Sequence, residues 1–321
     1  MLKRLAALCA ALVLNPLVAL ADDYPTRPVT VIVPYAPGGT TDLVARLVLK
    51  RMEAEVNQSF VIENRAGASG AIGATLVSQA EPDGYTLMFD NIGILTMNEH
   101  LIKELSYNPQ EDFSMIGMVI KSHQAVAVGP TVEAKTIEEF FQQIKAEPGK
   151  FRHGSGGIGT GVHVFTEYMK SAGDLNIEHI PYKSSGIALT GLMSGEIDMS
   201  LEGSSNVLPH VQAGRLRVLA VTSAERDPQY PDVPTLAESV LPGFTITAWS
   251  SLSAPSGTPT EIIQKLNRAL NAALSDEELL KQLSGYGLTP FPTTPEEAAN
   301  FINEQRELWG KIIKEAKIEG Q

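Results

Sequence analysis

Two short glycine-rich segments hold the clearest chemistry in this chain. Pro34-Tyr35-Ala36-Pro37-Gly38-Gly39-Thr40-Thr41-Asp42 and Gly154-Ser155-Gly156-Gly157-Ile158-Gly159-Thr160-Gly161 each run into residues with helical spacing. Glycine has no Cβ, so its backbone turns tightly and lets a ligand approach. A helix that starts there offers N–H groups without intrahelical partners, together with the positive end of its dipole. Such a loop can hold an anion without a cationic side chain, and neither segment contains Lys or Arg. Taken alone, the first also reads as a tight strand-to-helix turn with Thr40 or Thr41 as N-cap. With one such loop near the start of each half, two facing half-sites for one ligand become the better reading.

Other constellations are thin. Gly154, Gly156 and Gly159 spell the dinucleotide pattern G-x-G-x-x-G. The acidic residue that should end the following strand is missing, because Glu178 lies inside its strand and Asp174 precedes it. No NAD or FAD site is expected. There is no H-E-x-x-H, no phosphate-loop lysine and no G-x-S-x-G elbow. The six histidines are scattered without paired metal spacing, so neither a metal nor any other cofactor is expected. His163 follows the second glycine loop and is a candidate for cleft contact, with a packed or surface place as the alternative. Arg65, in Glu63-Asn64-Arg65-Ala66-Gly67-Ala68-Ser69-Gly70, has the fork to clamp a carboxylate; the preferred reading ties it to a neighbouring acid within the turn. Trp249 and Trp309 read as core anchors.

The elements that must position these loops alternate. Val29–Val33, Phe60–Glu63, Thr86–Phe89, Gln124–Val128, Glu178–Pro181, Ile197–Leu201 and Leu216–Val221 have strand character, as does a short run before Gly154. Leu43, Val44, Leu47, Val48 and Met52 mark one helix face, and Val162, Phe165 and Met169 another. This alternation predicts an α/β architecture with mostly parallel sheets flanked by helices. After Pro255 the chain is almost wholly helical, over Thr258–Leu274, Asp276–Leu283 and Thr294–Lys317. Ile116–Gln124 and Phe244–Pro255 are the stretches able to carry the chain between two lobes. The first lobe is expected to combine residues 24–122 with 248–321, and the second to hold 123–247. About 300 residues favour two domains over one.

The N-terminus sets the compartment. Lys3 and Arg4 precede an apolar run from Leu5 to Leu20, closed by Ala19-Leu20-Ala21 before a polar stretch. This is the pattern of a signal peptide (residues 1–21) cleaved after Ala21, since the run is short for a bilayer span and is interrupted by Asn15 and Pro16. Cys9 is the only cysteine, so the mature chain would have no disulfide, thiolate nucleophile or Cys-type zinc site. The full chain carries a formal charge of −12, and the leader contributes only basic residues. So acidic a chain argues against nucleic acid as a partner.

In order, these residues resemble the Bug or TctC-like family, the periplasmic substrate-binding proteins of tripartite tricarboxylate transporters. The likeness runs through Tyr24-Pro25-x-Arg27-Pro28, Val33 with the first glycine loop through Asp42, Glu63-Asn64-Arg65-Ala66-Gly67-Ala68-Ser69-Gly70, Pro82-Asp83-Gly84-Tyr85-Thr86-Leu87, Gly159-Thr160 with His163, Pro181-Tyr182-Lys183, Leu219-Ala220-Val221-Thr222-Ser223, Asp232-Val233-Pro234-Thr235, Pro242-Gly243-Phe244 and Trp309-Gly310-Lys311. It implies a two-lobe periplasmic-binding-protein fold of type II-like form with two crossover strands. It also implies a monomer that captures a di-, tri- or aromatic carboxylate, with membrane transporter subunits as partners. Amino acids and nicotinate are further ligands of the family. The expected ligand-binding set is Ala36, Pro37, Gly38, Gly39, Thr40, Thr41 and Asn91 from one side, and Ser155, Gly156, Gly157, Thr160, Gly161, His163, Glu202 and Gly203 from the other. Gly161-Val162 stand where small hydroxyl residues are common, and Glu202-Gly203 where Asp-Asn is common. A glutamate there would disfavour a highly charged anion or accept a hydrogen bond from the ligand. No catalytic residue is expected. The rival functions are a periplasmic sensor for a signalling partner and an enzyme on the same scaffold.

Overall fold

A computed structural model describes residues 24–320. The leader and its cleavage point lie outside the described residues. Ten strands join in one sheet: β1 (Val29–Val33), β2 (Phe60–Asn64), β3 (Thr86–Asn91), β4 (Phe113–Val128), β5 (Arg152–Ser155), β6 (Glu178–Pro181), β7 (Met199–Gly203), β8 (Arg217–Val221), β9 (Thr247–Pro255) and β10 (Thr289–Pro290). The main order is β2-β1-β3-β9-β4-β7-β5-β6, and β8 and β10 also pair with β4. The helices are α1 (Thr40–Val56), α2 (Ala71–Ser78), α3 (Asn98–Leu101), α4 (Ile137–Ala146), α5 (Gly161–Gly173), α6 (Ser185–Ser194), α7 (Ser204–Gln212), α8 (Leu236–Ser239), α9 (Thr260–Ala273), α10 (Glu277–Gly285) and α11 (Pro295–Glu315).

Strand β4 ties the sheet together. Residues 113–123 pair antiparallel with β9, whereas Gln124–Val128 pair antiparallel with β7 and β8. One strand therefore serves both halves, and the change of partner falls between His123 and Gln124. Parallel pairing is confined to the outer strands, β1 with β2 and β3 and β5 with β6 and β7. The sequence marks only Gln124–Val128 of β4 as a strand. Its earlier part pairs with β9 and, at Ile120 and Lys121, with β10, both more than a hundred residues away.

Local chemistry explains the helices. Thr136, Ser184, Thr235, Asp276 and Thr294 accept N-terminal backbone bonds at α4, α6, α8, α10 and α11. Thr294 and Glu297 form a reciprocal capping box, which satisfies two otherwise unpaired donors. In α1 the buried stripe is Val44, Ala45, Val48, Leu49 and Met52, and Leu43 and Leu47 are half-buried beside it. Trp309 packs on Phe165 at 5.2 Å between ring centres, so helix α11 braces α5.

Asp90 is a charge-capable group sealed inside the sheet. It is wholly buried on β3 and accepts hydrogen bonds from Ser251 and, at 2.6 Å, Ser253 of β9. Burial raises its carboxyl to about 7, against the lowering effect of those two hydroxyls. A carboxyl that ionises near 4 when unfolded and near 7 when folded favours the fold while protonated. That contribution is complete below about pH 4 and is lost as pH rises through about 7. Relative to the unmodified protein, Asp90→Asn should gain stability between about pH 4 and 8, reaching a few kcal/mol. Denaturant titrations of both proteins across this range measure it, and a pH-independent difference would show that Asp90 ionises normally.

Candidate functional site

A cavity of about 510 Å³ opens where the two halves of the sheet meet. Four helices begin on its wall. Their N-cap residues, Gly39 of α1, Gly70 of α2, Thr160 of α5 and Gly203 of α7, all line it, and none supplies a side-chain cap. The side-chain-capped helices start elsewhere, apart from α6, whose cap Ser184 is at the wall. First-turn N–H groups at the starts of α1, α5 and α7 therefore have no intrahelical partners, whereas the Ala71 N–H of α2 is already taken by the Ala68 carbonyl of the turn before it. Four dipole ends add positive potential there. Among the described lining residues only Lys183 is cationic, and it is exposed; Glu202 is the only acid, and it is buried.

The first glycine loop is held from below. Asp42, buried in the first turn of α1, accepts from the Gly38 N–H at 3.0 Å, from Asn64 at 3.0 Å and from Arg46 at 2.9 Å. Burial alone would raise this carboxyl, but Arg46, Asn64 and Gly38 outweigh it and keep it below the usual range. Asn64 also donates to the Tyr35 carbonyl at 3.0 Å. Gly38 has φ +91°, a left-handed value that suits glycine, whereas Gly39 is extended at φ −85° and a Cβ there would meet nothing within 4 Å.

The second loop rests on a histidine stack. His179 lies between His153 and His163, with ring centres 4.6 and 4.3 Å apart. Ser155 Oγ is 2.7 Å from His179 Nε2 and accepts from the Gly157 N–H at 3.1 Å. His163 Nδ1 accepts from the Gly159 N–H at 3.2 Å, which requires that nitrogen to be unprotonated. Glu167 reaches His153 at 3.1 Å and Lys170 at 2.7 Å. Burial drives the ring pKa of His163 down to about 4 and that of His179 to about 3. Neutral imidazoles thus keep the loop in shape.

The two walls touch across the cavity. Thr40 Oγ1 lies 3.1 Å from Ser205 Oγ and donates to Asn206 at 3.0 Å, and Ser69 donates to the Ile158 carbonyl at 2.7 Å. Of the residues expected from sequence, Ala36, Pro37, Gly38, Gly39, Thr40, Thr41, Asn91, Gly156, Gly157, Thr160, Gly161, Glu202 and Gly203 line the cavity. Ser155 and His163 do not. Both are buried behind the second loop and hold it in place, because their polar atoms are spent on its backbone. Arg65 pairs instead with Glu63 at 2.7 Å on the surface. Trp249 is both core and cavity wall.

Sequence reasoning missed the polar groups Ser122, Gln124, Ser185, Asn206 and Ser250, and the start of α2. Gly203-Ser204-Ser205-Asn206, a glycine before a helix start, carried the same signal as the two loops. For Ser122, Gln124 and Ser250, on the long paired strands, no local signal exists.

A two-lobe α/β scaffold with a cavity between its halves defines a solute-binding protein, and solved periplasmic binding proteins share this fold. Residues 44–318 match the tripartite tricarboxylate transporter family receptors (TctC), and the chain belongs to that family. Protein BugT of Bordetella pertussis is 33% identical over 296 residues, covering 92% of this chain and 91% of BugT. Rpa4515 of R. palustris, solved with adipate, is 32% identical at a TM-score of 0.90, covering 93% of this chain and all of that one. MatC of Rhodopseudomonas palustris, solved with bound malate, is 31% identical at a TM-score of 0.85, covering 90% and 100%. Among the described residues no helix is long and apolar enough to cross a membrane.

Histidines held neutral in the fold but titrating near 6.5 when unfolded stabilise it fully above that pH. The contribution is lost as pH falls from about 6.5 through the folded values near 4 and 3. His163→Asn keeps an acceptor near Gly159 and removes one titration. It should therefore lose less stability between about pH 6.5 and 4 than the unmodified protein in thermal melts. An equally steep acid limb would show that His163 does not carry this sensitivity.

Proposed function

We propose that this chain captures a small organic carboxylate between its two lobes in the periplasm and delivers it to the membrane subunits of a tripartite tricarboxylate-type transporter, without transforming it. The lobes in this reading are residues 24–122 with 248–321, and 123–247. The observation that carries the proposal is the set of four uncapped helix N-termini around one cavity whose described lining residues include no buried cation. That arrangement suits an anion that must be held and later released. The adipate and malate in the names of two structural relatives supply the same ligand chemistry.

Magnitudes support capture by amides. A hydrogen bond to a charged acceptor contributes ~1.5–3 kcal/mol, and a partly buried helix terminus up to ~2 kcal/mol. A few such contacts reach micromolar affinity, about −8.2 kcal/mol, after the cost of association. Closure follows from the same geometry: Thr40 with Ser205 and Asn206, and Ser69 with Ile158, latch one wall to the other over the ligand.

Gly39 gives the cleanest test. Its extended backbone accepts a branched side chain, and a Cβ there meets no protein atom. Gly157, at φ +127°, would be strained by any side chain. Gly39→Val should therefore fold normally and lose carboxylate binding, whereas Arg65→Ala should bind like the unmodified protein. Thermal-shift screening against mono-, di-, tri- and aromatic carboxylates identifies the ligand. Calorimetry on the variants, with circular dichroism as the folding control, then decides. Normal binding by Gly39→Val together with loss in Arg65→Ala would overturn the mechanism.

A further inference from the structure

One residue of the cavity wall is out of keeping with an anion site. Glu202 lies on β7 opposite Ala125 of β4 and is 1% exposed. It lines the cavity, yet its Oε1 is buried without any hydrogen-bond partner. Burial raises its carboxyl above the usual range, against the lowering effects of Ser185, Asn206 and the Gly203 amide. A buried acceptor left unsatisfied is costly, so a ligand group that donates to it gains more than one that does not.

We propose that Glu202 sets the ligand class: among carboxylates, the cavity selects those whose far end donates hydrogen bonds, a hydroxyl or an ammonium, over those that end in a second carboxylate. The inference rests on the carboxylate reading above and narrows it. With the first carboxylate on the starts of α1 and α5, a second near Glu202, which directly precedes the α7 N-cap Gly203, would meet another anion, and the one lining cation, Lys183, is exposed to solvent, where its charge is screened. A hydroxyl gives Oε1 its missing donor. An ammonium does so and also matches its charge. Gln124 can donate and accept, so it serves either kind of ligand, and Ser185 and Asn206 are already engaged with Glu202, which leaves the choice to Glu202.

The test is calorimetry on the intact protein with matched ligands. These are butanoate and pentanoate, their terminal hydroxy and amino derivatives, and the diacids succinate and glutarate. The unmodified protein should bind the hydroxy or amino member at least about tenfold tighter than the diacid of equal length. Glu202→Gln is isosteric and can itself donate. It should bring the diacid level with or above its rivals and weaken the amino derivative about tenfold or more. A smaller loss for the hydroxy derivative than for the amino one would assign the selection to charge as well as hydrogen bonding; equal losses would assign it to hydrogen bonding alone. A diacid that binds the unmodified protein tightest, or a ranking unchanged by Glu202→Gln, overturns the proposal and leaves the carboxylate reading standing. If no carboxylate binds, in this series or in the broader screen, the carboxylate reading fails and takes this inference with it.

Discussion

The constraint on which the rest of this structure depends is that four helices begin at one cavity with no side chain capping their starts. Elsewhere the chain spends Thr or Asp side chains on such groups at α4, α8, α10 and α11, while α3 and α9 start without a side-chain cap. At α1, α2 and α7 it places glycine, and at α5 a threonine whose hydroxyl donates to the Gly157 carbonyl rather than accepting at the helix end. A glycine N-cap forgoes only roughly a few tenths of a kcal/mol relative to a capping side chain. In the proposed reading, a ligand rather than a side chain supplies the acceptors there.

Everything near the cavity serves to keep those ends in position. Asp42, Arg46 and Asn64 fasten the first loop from beneath, and Ser155 with the stacked histidines fastens the second. The long strand β4 sets the distance between the two walls, since it pairs with β9 on one side of His123 and with β7 and β8 on the other. The acidic chain contributes nothing general toward an anion, so the attraction must come from oriented backbone within the cavity. Glu202, directly before the α7 N-cap Gly203, puts a buried carboxyl against that local field.

Much of this was legible in the residues. The glycine loops, their helix starts and the strand–helix alternation are local patterns, and 13 of the 15 residues expected from them and from the family resemblance lie on the cavity wall. Ser155 and His163 were placed there because they belong to the loop in sequence. Sequence adjacency does not say which way a side chain turns, and both turn inward to bond the loop's own amides. Gln124, Ser122 and Ser250 were invisible for another reason: each is an ordinary polar residue on a strand, brought to the cavity by pairing between distant segments. The first half of β4 escaped for the same cause, because its strand state is set by β9. The histidine stack unites residues 153, 163 and 179 from three elements, a contact that no spacing rule foretells.

The central claim is that backbone amides at helix starts hold the carboxylate. Amide proton shifts during a titration with the tightest carboxylate, followed by nitrogen-15 NMR on assigned protein, test it most directly. Amides that gain a charged acceptor move downfield, so Thr40, Thr41 and Asp42 of α1, Gly161 and Val162 of α5, and Ser204 and Ser205 of α7 should include the largest downfield changes, while the Arg65 guanidinium and Lys183 ammonium signals stay nearly fixed. Large shifts confined to those two side chains, with the helix-start amides unmoved, would contradict the account.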